Sequence, residues 1–390
     1  MTRYELDDGP VRRFWEITRE GSRITLNMGV VGSPGRARTK DHGTEARART
    51  EEAKAIQAMT RLGYVEVRAP GPALPDALQR AMEDRTPDAL RVLADWLIEQ
   101  DDPWGPVLAE SLASPGSVQP GHAGLDALDQ RWFPGPDKNA VWRDGRPVAV
   151  TIACHQDRGY GAIARFFQTP AGHLVDRLEI TGAFGEQGLR GLLEEGALPG
   201  LRELSVGDSR FDFPSVASAL PALRHLETHD AYVVLGAPSL PTLEHLELHF
   251  EGPPSHDAVS HLGVARLPAL RTLVIEVGVS EDRHGPALAG LLAHSPLIRR
   301  VELAHFRVRG MLARWLPSGP AELQYLQVFD GDLDDTDAEA LLRWLQDHGD
   351  AEVHLDPNAI SAPVLDALRG WPGVRLHPTV ESPWYEDTGE

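Results

Sequence analysis

The segment Leu243-Glu244-His245-Leu246-Glu247-Leu248 contains the pattern that decides the fold, with apolar residues at positions 1, 4 and 6 of a short unit. The pattern returns in register every 20 to 28 residues. Its apolar triplets are Val175/Leu178/Ile180, Leu201/Leu204/Val206, Leu223/Leu226/Thr228, Leu243/Leu246/Leu248, Leu270/Leu273/Ile275, Ile298/Val301/Leu303 and Leu323/Leu326/Val328, with weaker copies at Val353/Leu355 and Val374/Leu376. Such a recurrence predicts a repeat architecture.

Positions 4 and 6 of each unit alternate with polar residues, which is typical of a short strand with one buried face. One unit cannot bury this face alone, so neighbouring units have to stack. The return segment at 231–241 shows no helical pattern and is expected to be extended. The other returns predict helices at Gln187–Ala197, Asp257–Leu267, Gly285–His294, Thr336–His348 and Pro363–Trp371.

These units resemble leucine-rich repeats, whose L-x-x-L-x-L signature has a period of 20 to 29 residues. The resemblance covers about 174–376. It implies an α/β leucine-rich-repeat solenoid at 174–377, with a parallel sheet on the concave side and helices outside.

The length and composition predict a soluble bacterial protein with several domains. The chain has 390 residues, of which 42% are hydrophobic, and arginine greatly outnumbers lysine. No apolar run is long enough to cross a membrane, and the N-terminus lacks the apolar core of a signal peptide. A single cysteine, Cys154, excludes an internal disulfide. We therefore expect a cytoplasmic protein without membrane association.

The charge is concentrated in the repeats. The net charge is −20, and residues 174–376 contribute −14 of it, with 30 Asp/Glu against 16 Lys/Arg. The acidic segment 378–390 is expected to be a loose tail. An acidic repeat region repels phosphate backbones and favours a neutral or basic protein partner.

Residues 3–68 predict a small β-rich α+β module. Strands are expected at 12–17, 23–28 and 37–39, and a helix at 44–62 with Thr44 as its cap. The module, taken as 1–69, resembles the WGR domain. The matching residues are Phe14-Trp15-Glu16-Ile17, the glycines Gly29, Gly32 and Gly35, Arg38-Thr39-Lys40 and Gly63-Tyr64.

The Trp-Gly-Arg triplet that names this family is replaced here by Met28-Gly29-Val30. In family members that sense DNA breaks, the tryptophan and arginine contact nucleic acid. Their loss removes a stacking ring and a phosphate-seeking cation. The remaining candidates for nucleic-acid binding are four basic residues, which are more often a solvated face: Arg36, Arg38, Lys40 and Arg47.

Residues 75–114 predict a short helical module, with helix starts at Thr86-Pro87 and Asp102-Pro103. Its Asp95-Trp96-Leu97 and Asp102-Pro103 elements resemble the bacterial repeat-companion domain, which typically accompanies leucine-rich repeats. Residues 115–173 are expected to connect to the repeats and cap their first apolar edge. A hairpin is predicted through Asp144-Gly145 in this region.

No catalytic or cofactor motif is present in the sequence. It has no Gly-rich phosphate loop ending in Lys-Ser/Thr, no His-Glu-x-x-His and no paired cysteines. We therefore predict no cofactor and no enzymatic activity.

The alternation of strand side chains predicts which residues face outward from the concave sheet, namely positions 3, 5 and 7 of each unit. Two successive units read His-x-Glu-x-His there. The candidate partner-binding residues are Arg177, Glu179, Glu203, His225, Glu227, His229, His245, Glu247, His249, Glu276, Arg300, Glu302, Tyr325 and Phe329.

Three interpretations of the histidine and glutamate cluster stay open. The favoured one is a polar protein-binding surface, and the second is a solvated cluster without a role. The third is a site for zinc or a related metal, for which His225, His229, His245 and His249 are weak candidates.

The leading functional hypothesis is a non-enzymatic bacterial scaffold or recognition protein that binds a protein on its concave sheet. The alternative is a nucleic-acid sensor, in which the WGR-like module binds nucleic acid and the repeats recruit an effector. A metal-dependent enzyme that uses the histidine and glutamate cluster is a third, weaker hypothesis.

Overall fold

The computed structural model describes residues 2–7, 12–31, 33–62, 64–67, 75, 78, 82, 85–119, 122–132, 138–153, 166, 167, 169–181, 198, 200–207, 211, 212, 220–229, 233, 234, 240–250, 265–277, 285–305, 307–318, 321–356 and 359–377. The chain divides into two compact units. The first comprises Met1–Val148, Cys154–Leu174 and Gly191–Ala197, and the second comprises Ala149–Ala153, Val175–Arg190 and Leu198–Glu390. The finer domain boundaries stay predictions.

The first unit begins with an antiparallel sheet and one helix. The strands are β1 Thr2–Asp7, β2 Arg12–Glu20, β3 Arg23–Val30, β4 Arg36–Asp41 and β5 Val65–Val67, and the helix is α1 Glu45–Arg61. The strand order is β4-β3-β2-β1-β5, which leaves β4 at one edge. β2, β3, β4 and α1 match the elements predicted from the sequence. The sequence pattern did not predict β1 and β5, which complete the sheet.

The core of this sheet lies between its strands and α1. Trp15, Ile17 and Ile24 are buried there together with Tyr4 and Ala48. The rings of Tyr4 and Trp15 are 5.1 Å apart between centroids. Trp15 and Ile17 on β2, and Ile24 and Leu26 on β3, are two residues apart because successive strand side chains point to opposite faces. α1 begins after Thr44, whose side chain accepts a hydrogen bond from the Arg47 N–H at 3.3 Å, as predicted.

The loop between β3 and β4 packs on Phe14 and depends on two glycines. A Cβ atom at Gly29 would lie 2.9 Å from Phe14 Cε1. A Cβ atom at Gly35 would lie 2.7 Å from Phe14 Cζ and 2.5 Å from Asn27 Oδ1, and Gly35 also has φ +72°. Both contacts are shorter than carbon side chains tolerate, so the spacing of these glycines reflects close packing of the loop.

Three helices and a hairpin follow, and Ala149–Ala153 of the second hairpin strand belong to the second unit. The helices are α2 Pro87–Glu99, α3 Trp104–Ala113 and α4 Ala123–Trp132, and the hairpin strands are β6 Lys138–Arg143 and β7 Arg146–Ala153. α2 and α3 begin at the predicted positions. The hairpin turns through Asp144-Gly145, where both residues have positive φ. The buried Trp104 ring donates from Nε1 to the Gly145 carbonyl at 2.8 Å, which ties α3 to this turn.

The repeats form the strands of a large sheet. Its strands after β7 are β8 Arg177–Thr181, β9 Glu203–Gly207, β11 His225–His229, β13 His245–Phe250, β14 Thr272–Val277, β15 Arg300–Ala304, β16 Tyr325–Phe329, β17 Glu352–Leu355 and β18 Val374–Leu376. The sheet has eleven strands in the order β18-β17-β16-β15-β14-β13-β11-β9-β8-β7-β6. From β7 to β18 all neighbours are parallel.

The apolar positions of the sequence pattern form the core of the second unit. Leu204, Leu226 and Leu246 pair in register across three strands, and each is at most 1% exposed. Position 6 is buried in the same way, and Thr228 occupies it in β11. Among the described residues, the Thr228 hydroxyl has no hydrogen-bond partner. Thr228, which departs from the apolar pattern, thus places a polar group inside the core.

A β-turn precedes most of these strands, and before β9, β11, β13 and β14 its sequence is Leu-Pro-x-Leu. The N–H of Leu223 bonds to the Leu220 carbonyl at 3.2 Å, and the N–H of Leu243 bonds to the Leu240 carbonyl at 3.2 Å. Proline at the second turn position has the φ angle that such turns require. The backbone N–H groups that follow the turn bond to the preceding repeat. The Arg224 and His225 N–H groups, for example, both donate to the Arg202 carbonyl.

The described returns contain four helices: α5 Gly285–Ala293, α6 Met311–Trp315, α7 Asp335–Leu345 and α8 Ala362–Arg369. α5, α7 and α8 match predicted helices, whereas α6 was not predicted. The predicted helix at 187–197 lies outside the described residues, as does 257–264 of another, and 265–267 is not helical. The segments β10 Phe211–Asp212 and β12 Val233–Val234 pair in parallel, so part of the return at 231–241 is extended as predicted.

Helices of neighbouring repeats are joined by a buried carboxylate. Asp337, in the first turn of α7, accepts hydrogen bonds from the Gly310 N–H at 2.7 Å and the Ala313 N–H at 3.0 Å. These amides lie at the start of α6, where the helix itself provides no acceptor. Burial raises the pKa of Asp337 although the two amide bonds oppose that shift.

The structure therefore confirms an α/β architecture built on a large, mostly parallel sheet, and this arrangement is compatible with a solenoid-like fold. Within the described ranges, none of the helices has the length and apolar character needed to cross a membrane.

The packing of the β3–β4 loop leads to a matched pair of variants. Gly43→Ala meets no atom within 4 Å but has φ +77°, so it costs only the backbone strain of about 1–2 kcal/mol. Gly35→Ala has a similar φ and also drives its Cβ into Phe14 and Asn27, so we expect a further loss of about 1–3 kcal/mol. Hydrogen exchange of the β2 and β3 amides measures both losses, and equal losses would contradict the packing role.

Candidate functional site

One face of the parallel sheet carries polar and aromatic side chains, and we call it the open face. It consists of positions 3, 5 and 7 of the repeats, which alternate with the buried positions 4 and 6. The structure places all fourteen candidate partner-binding residues on this face. Arg177, Glu203, His229 and Arg300 are exposed, and the other ten are partly exposed.

The centre of the open face is a block of six residues on β11 and β13. His225 pairs with His245, Glu227 with Glu247, and His229 with His249. We call these six residues the His/Glu block. The predicted adjacency of the two His-x-Glu-x-His segments is thus present in the register of the strands.

Parallel register stacks the imidazole rings in two pairs. The His225 and His245 rings are 4.1 Å apart between centroids and inclined by 18°. The His229 and His249 rings are 4.6 Å apart and inclined by 7°. Stacking of this kind suits neutral imidazoles, because two imidazolium ions at this distance repel each other.

The carboxylates of the block lie between the histidine pairs. Glu247 uses both oxygens, since Oε2 is 3.1 Å from His245 Nε2 and Oε1 is 2.7 Å from His249 Nε2. On the neighbouring strand, Glu227 Oε1 is 2.7 Å from His229 Nε2. Along a strand, residues two apart point to the same side, so a histidine and a glutamate at this spacing reach each other.

A third strand completes the surroundings of His249. Its Nδ1 atom lies 3.0 Å from Glu276 Oε2 on β14, while its Nε2 atom faces Glu247. A neutral imidazole has one N–H donor, so it can donate to only one of these carboxylates at a time. Both bonds can be made at once only by the protonated ring.

Burial and neighbouring charges shift two pKa values in the block. Burial lowers the pKa of His225, and the adjacent His245 lowers it further. Burial alone would raise the pKa of Glu247, but hydrogen bonds from His245 and His249 outweigh it and the net pKa is lowered. These shifts favour a neutral His225 and an ionised Glu247.

Two sets of three side chains have the spacing of possible metal ligands. One is His225, His245 and Glu247, and the other is Glu227, His229 and His249. Within each set, one ligand atom per residue lies within 4.8 Å of the others. Imidazole nitrogen and carboxylate oxygen are both ligands for transition metals.

The C-terminal end of the open face is aromatic. The Arg300 guanidinium lies 4.1 Å from the centroid of the Tyr325 ring and forms an ion pair with Glu302. Tyr325 donates from its hydroxyl to Gln327 Oε1 at 2.8 Å. Tyr325 and Phe329 are both partly exposed, so neither is fully covered by the rest of the chain.

Two histidines extend this aromatic end, and the sequence analysis did not include them. His354 Nδ1 and His377 Nε2 are 2.9 Å apart, and the His377 ring meets Phe329 edge-on at 5.1 Å. His354 also lies 5.3 Å from the Tyr325 ring. The weak repeat copies at Val353/Leu355 and Val374/Leu376 contain the signal, because His354 and His377 occupy outward positions 5 and 7 of those copies.

The opposite end of the open face is polar. Arg177 lies 3.6 Å from Glu179, and the Thr151 hydroxyl donates to Glu179 Oε2 at 3.3 Å. Glu203 is exposed and pairs in register with His225. Carboxylates therefore lie on both sides of the His/Glu block, at Glu203 and at Glu276.

The predicted nucleic-acid candidates lie in the first unit. Arg36, Arg38 and Lys40 are exposed along the edge strand β4, and Arg47 is exposed on α1. Met28 and Val30 are also exposed, by 41% and 48% respectively. The two residues on either side of Gly29 are thus accessible.

The solved structures to which this chain is similar include the following two. A protein from Bacteroides fragilis aligns with 18% identity and a TM-score of 0.39, over 97% of this chain and 96% of that one. A chain of the Toll–Spatzle complex of Drosophila aligns with 13% identity and a TM-score of 0.38, over 59% of this chain and 30% of that one. No family model and no curated protein matches the sequence.

The shifted pKa of His225 predicts a pH dependence of stability. Its folded-state pKa lies below the ordinary value of 6.5, so the unfolded chain takes up a proton first as the pH falls. The contribution of His225 is therefore complete above pH 6.5 and is lost as the pH falls towards the lowered folded-state pKa. Since the ring is half-buried and partly screened by solvent, we expect its contribution to be under about 1 kcal/mol.

Urea unfolding at pH 7 and pH 5.5 measures this contribution. We expect His225→Gln to lose less free energy of unfolding between the two values than the wild-type chain. His294→Gln provides the control, because His294 is exposed on a separate element. The same loss in the wild type and both variants would contradict the assignment.

Proposed function

We propose that this chain is a non-enzymatic bacterial recognition or scaffold protein that binds a protein partner on the open face. We further propose that the parallel sheet consists of leucine-rich repeats, preceded by a WGR-like module at 3–68 and a repeat-companion module at about 76–113. The observation that carries the functional proposal is the side-by-side register of partly exposed histidines, glutamates and aromatic residues on one sheet.

A sheet offers such residues in a fixed geometry. Neighbouring strands are about 4.8 Å apart, and their backbones are held by the hydrogen bonds of the ladder. A partner therefore meets side chains whose backbone positions are already set, which lowers the entropic cost of binding. The two ends differ in chemistry, since Tyr325 and Phe329 provide apolar contact area whereas the centre is polar.

The charges of the open face favour a basic partner. Glu203, Glu227, Glu247 and Glu276 lie on four consecutive strands, and the repeat region is acidic throughout. Lysine or arginine side chains of a partner would replace the histidines as donors to these carboxylates. The aromatic end would then anchor the complex, because buried aromatic residues carry much of the energy of many interfaces.

Charge reversal on the open face tests this proposal. We expect Glu227→Arg/Glu247→Arg to reduce recovery of the partner from an extract of the native host by about tenfold or more, since central interface residues cost about 2 kcal/mol or more each. The matched control is Glu339→Arg/Asp366→Arg, which changes the net charge equally on α7 and α8, away from the open face. Unchanged recovery with the open-face variant, or an equal loss with the control, would contradict the proposal.

A second candidate function is nucleic-acid binding by the first unit, and the arrangement of β4 favours it. Arg36, Arg38 and Lys40 alternate along an exposed edge strand, so their side chains point to one side about 6.8 Å apart. Such a row can contact successive phosphates. With Met28 and Val30 in the triplet, the module lacks a stacking ring there, so the binding would be non-specific and governed by salt.

Fluorescence anisotropy of labelled DNA with the full chain between 50 and 200 mM salt tests this candidate. Loss of two phosphate contacts in Arg36→Glu/Arg38→Glu would reduce the slope of log affinity against log salt by about 2. Arg343→Glu/Arg369→Glu, on α7 and α8, gives the same change in net charge and should bind as the wild type does. If the wild type shows no salt-dependent binding, this candidate fails.

A further inference from the structure

The His/Glu block contains two sets of possible metal ligands. They adjoin at Glu247, which belongs to the first set and also contacts His249 of the second. Each set has two imidazoles and one carboxylate, and its ligand atoms lie within 4.8 Å of one another. The sets draw on the same two strands, so each is held by the backbone register of β11 and β13. Both sets arise because His-x-Glu-x-His occurs at the same positions of two paired strands.

We propose that the His/Glu block binds two zinc ions, one held by His225, His245 and Glu247 and the other by Glu227, His229 and His249. This inference does not rest on the proposed partner binding, since it concerns the purified chain and the metal alone. The sequence alone made the four histidines weak metal candidates, and the proposal assigns zinc to them.

The donor sets fit the chemistry of zinc. Zinc binds imidazole nitrogen at about 2.0–2.1 Å and carboxylate oxygen at about 2.0–2.2 Å, usually with four ligands in a tetrahedron. Ligand atoms around such an ion are about 3.4 Å apart, as follows from these bond lengths. The side chains of the block are partly or fully exposed, so rotation about their side-chain bonds can bring the ligand atoms closer together. Two histidines and one carboxylate leave a fourth position for water or for a group of a bound molecule.

The carboxylates compensate the charge of two ions placed close together. Glu247 faces His245 with one oxygen and His249 with the other, so it lies between the two sets. Glu227 lies beside it on β11, and Glu203 and Glu276 lie on the flanking strands. Four carboxylates balance the four positive charges of two zinc ions.

Glu276 prepares His249 to act as a ligand. Its carboxylate lies 3.0 Å from His249 Nδ1, so it can accept a hydrogen bond from that nitrogen when Nε2 binds the ion. Nε2 would then exchange its contact with Glu247 Oε1, now at 2.7 Å, for the ion of the second set. Carboxylates in this position orient histidine ligands in many zinc sites and strengthen binding. Glu276 is therefore a positioning residue and not a ligand.

Two histidines of the block have glutamate partners when no metal ion is bound. In the metal-free chain, His229 and His245 each place Nε2 at hydrogen-bond distance from a glutamate on the same strand. A neutral imidazole keeps one N–H when it binds a metal ion, so its proton would move to Nδ1 while Nε2 binds the ion.

Isothermal titration of the chelator-treated full chain with zinc chloride tests the proposal. We expect two ions per wild-type chain. His225→Ala/His245→Ala and His229→Ala/His249→Ala should each bind one ion, because each removes one set. His122→Ala/His294→Ala removes two histidines that lie outside the block and should still bind two ions. Circular dichroism of every variant without metal checks that it is folded.

Three results would overturn the proposal. The first is the absence of zinc heat in the wild type, and the second is a stoichiometry that neither pair of variants changes. The third is one ion per chain that both pairs abolish, which would mean a single shared site. A failure of zinc binding would not contradict the proposed partner binding. The Glu227→Arg/Glu247→Arg comparison, run with and without a chelator, tests partner binding separately.

A positioning variant separates a metal site from a merely polar patch. Glu276→Gln should still bind two ions, but we expect one of them to bind about tenfold more weakly. Cobalt(II) offers a second readout, since its visible absorption reports coordination by four ligands. Each double histidine variant should lose about half of that absorption, and an unchanged spectrum would overturn the assignment.

Discussion

Burial of the apolar residues at positions 4 and 6 is the constraint on which the second unit depends. A strand of five residues cannot bury its own apolar face, so Leu226 is covered only because Leu204 and Leu246 lie beside it in register. Each such side chain stabilises the fold by about 1.5–3 kcal/mol when buried. A shift of one residue in any strand would expose its leucines and bury its charges, which fixes the register along the whole sheet.

The same register decides what the open face contains. Residues at equal positions of successive repeats become neighbours, so histidine lies against histidine and glutamate against glutamate. Contacts between like groups are unfavourable when both are charged. The chain compensates along each strand instead, where Glu247 bonds to His245 and His249. The result is a polar surface on which His229, His245 and His249 lie at hydrogen-bond distance from glutamates.

In the first unit, three consecutive residues have different roles: Gly29 packs inside, whereas Met28 and Val30 lie at the surface. Gly29 lies against Phe14 and Gly35 and cannot accept a side chain without displacing them. Met28 and Val30, on either side, are largely exposed. Substitution of the outer two positions would therefore alter the exposed surface, while the packing of Gly29 on Phe14 would be retained.

The sequence by itself determined the repeat period, the buried positions and the outward residues of the open face, because each depends on neighbours within one unit. It also predicted β2, β3, β4, α1, α5, α7 and α8 from local patterns. The tertiary structure decided which imidazole nitrogen meets which carboxylate, how Asp337 caps the preceding helix, and that His354 and His377 join the aromatic end. β1 and β5 likewise became visible only as members of a sheet. The contacts within one strand depend on side-chain rotation, and the others depend on strand pairing or on packing between segments separate in the chain. Local periodicity carries no information about either.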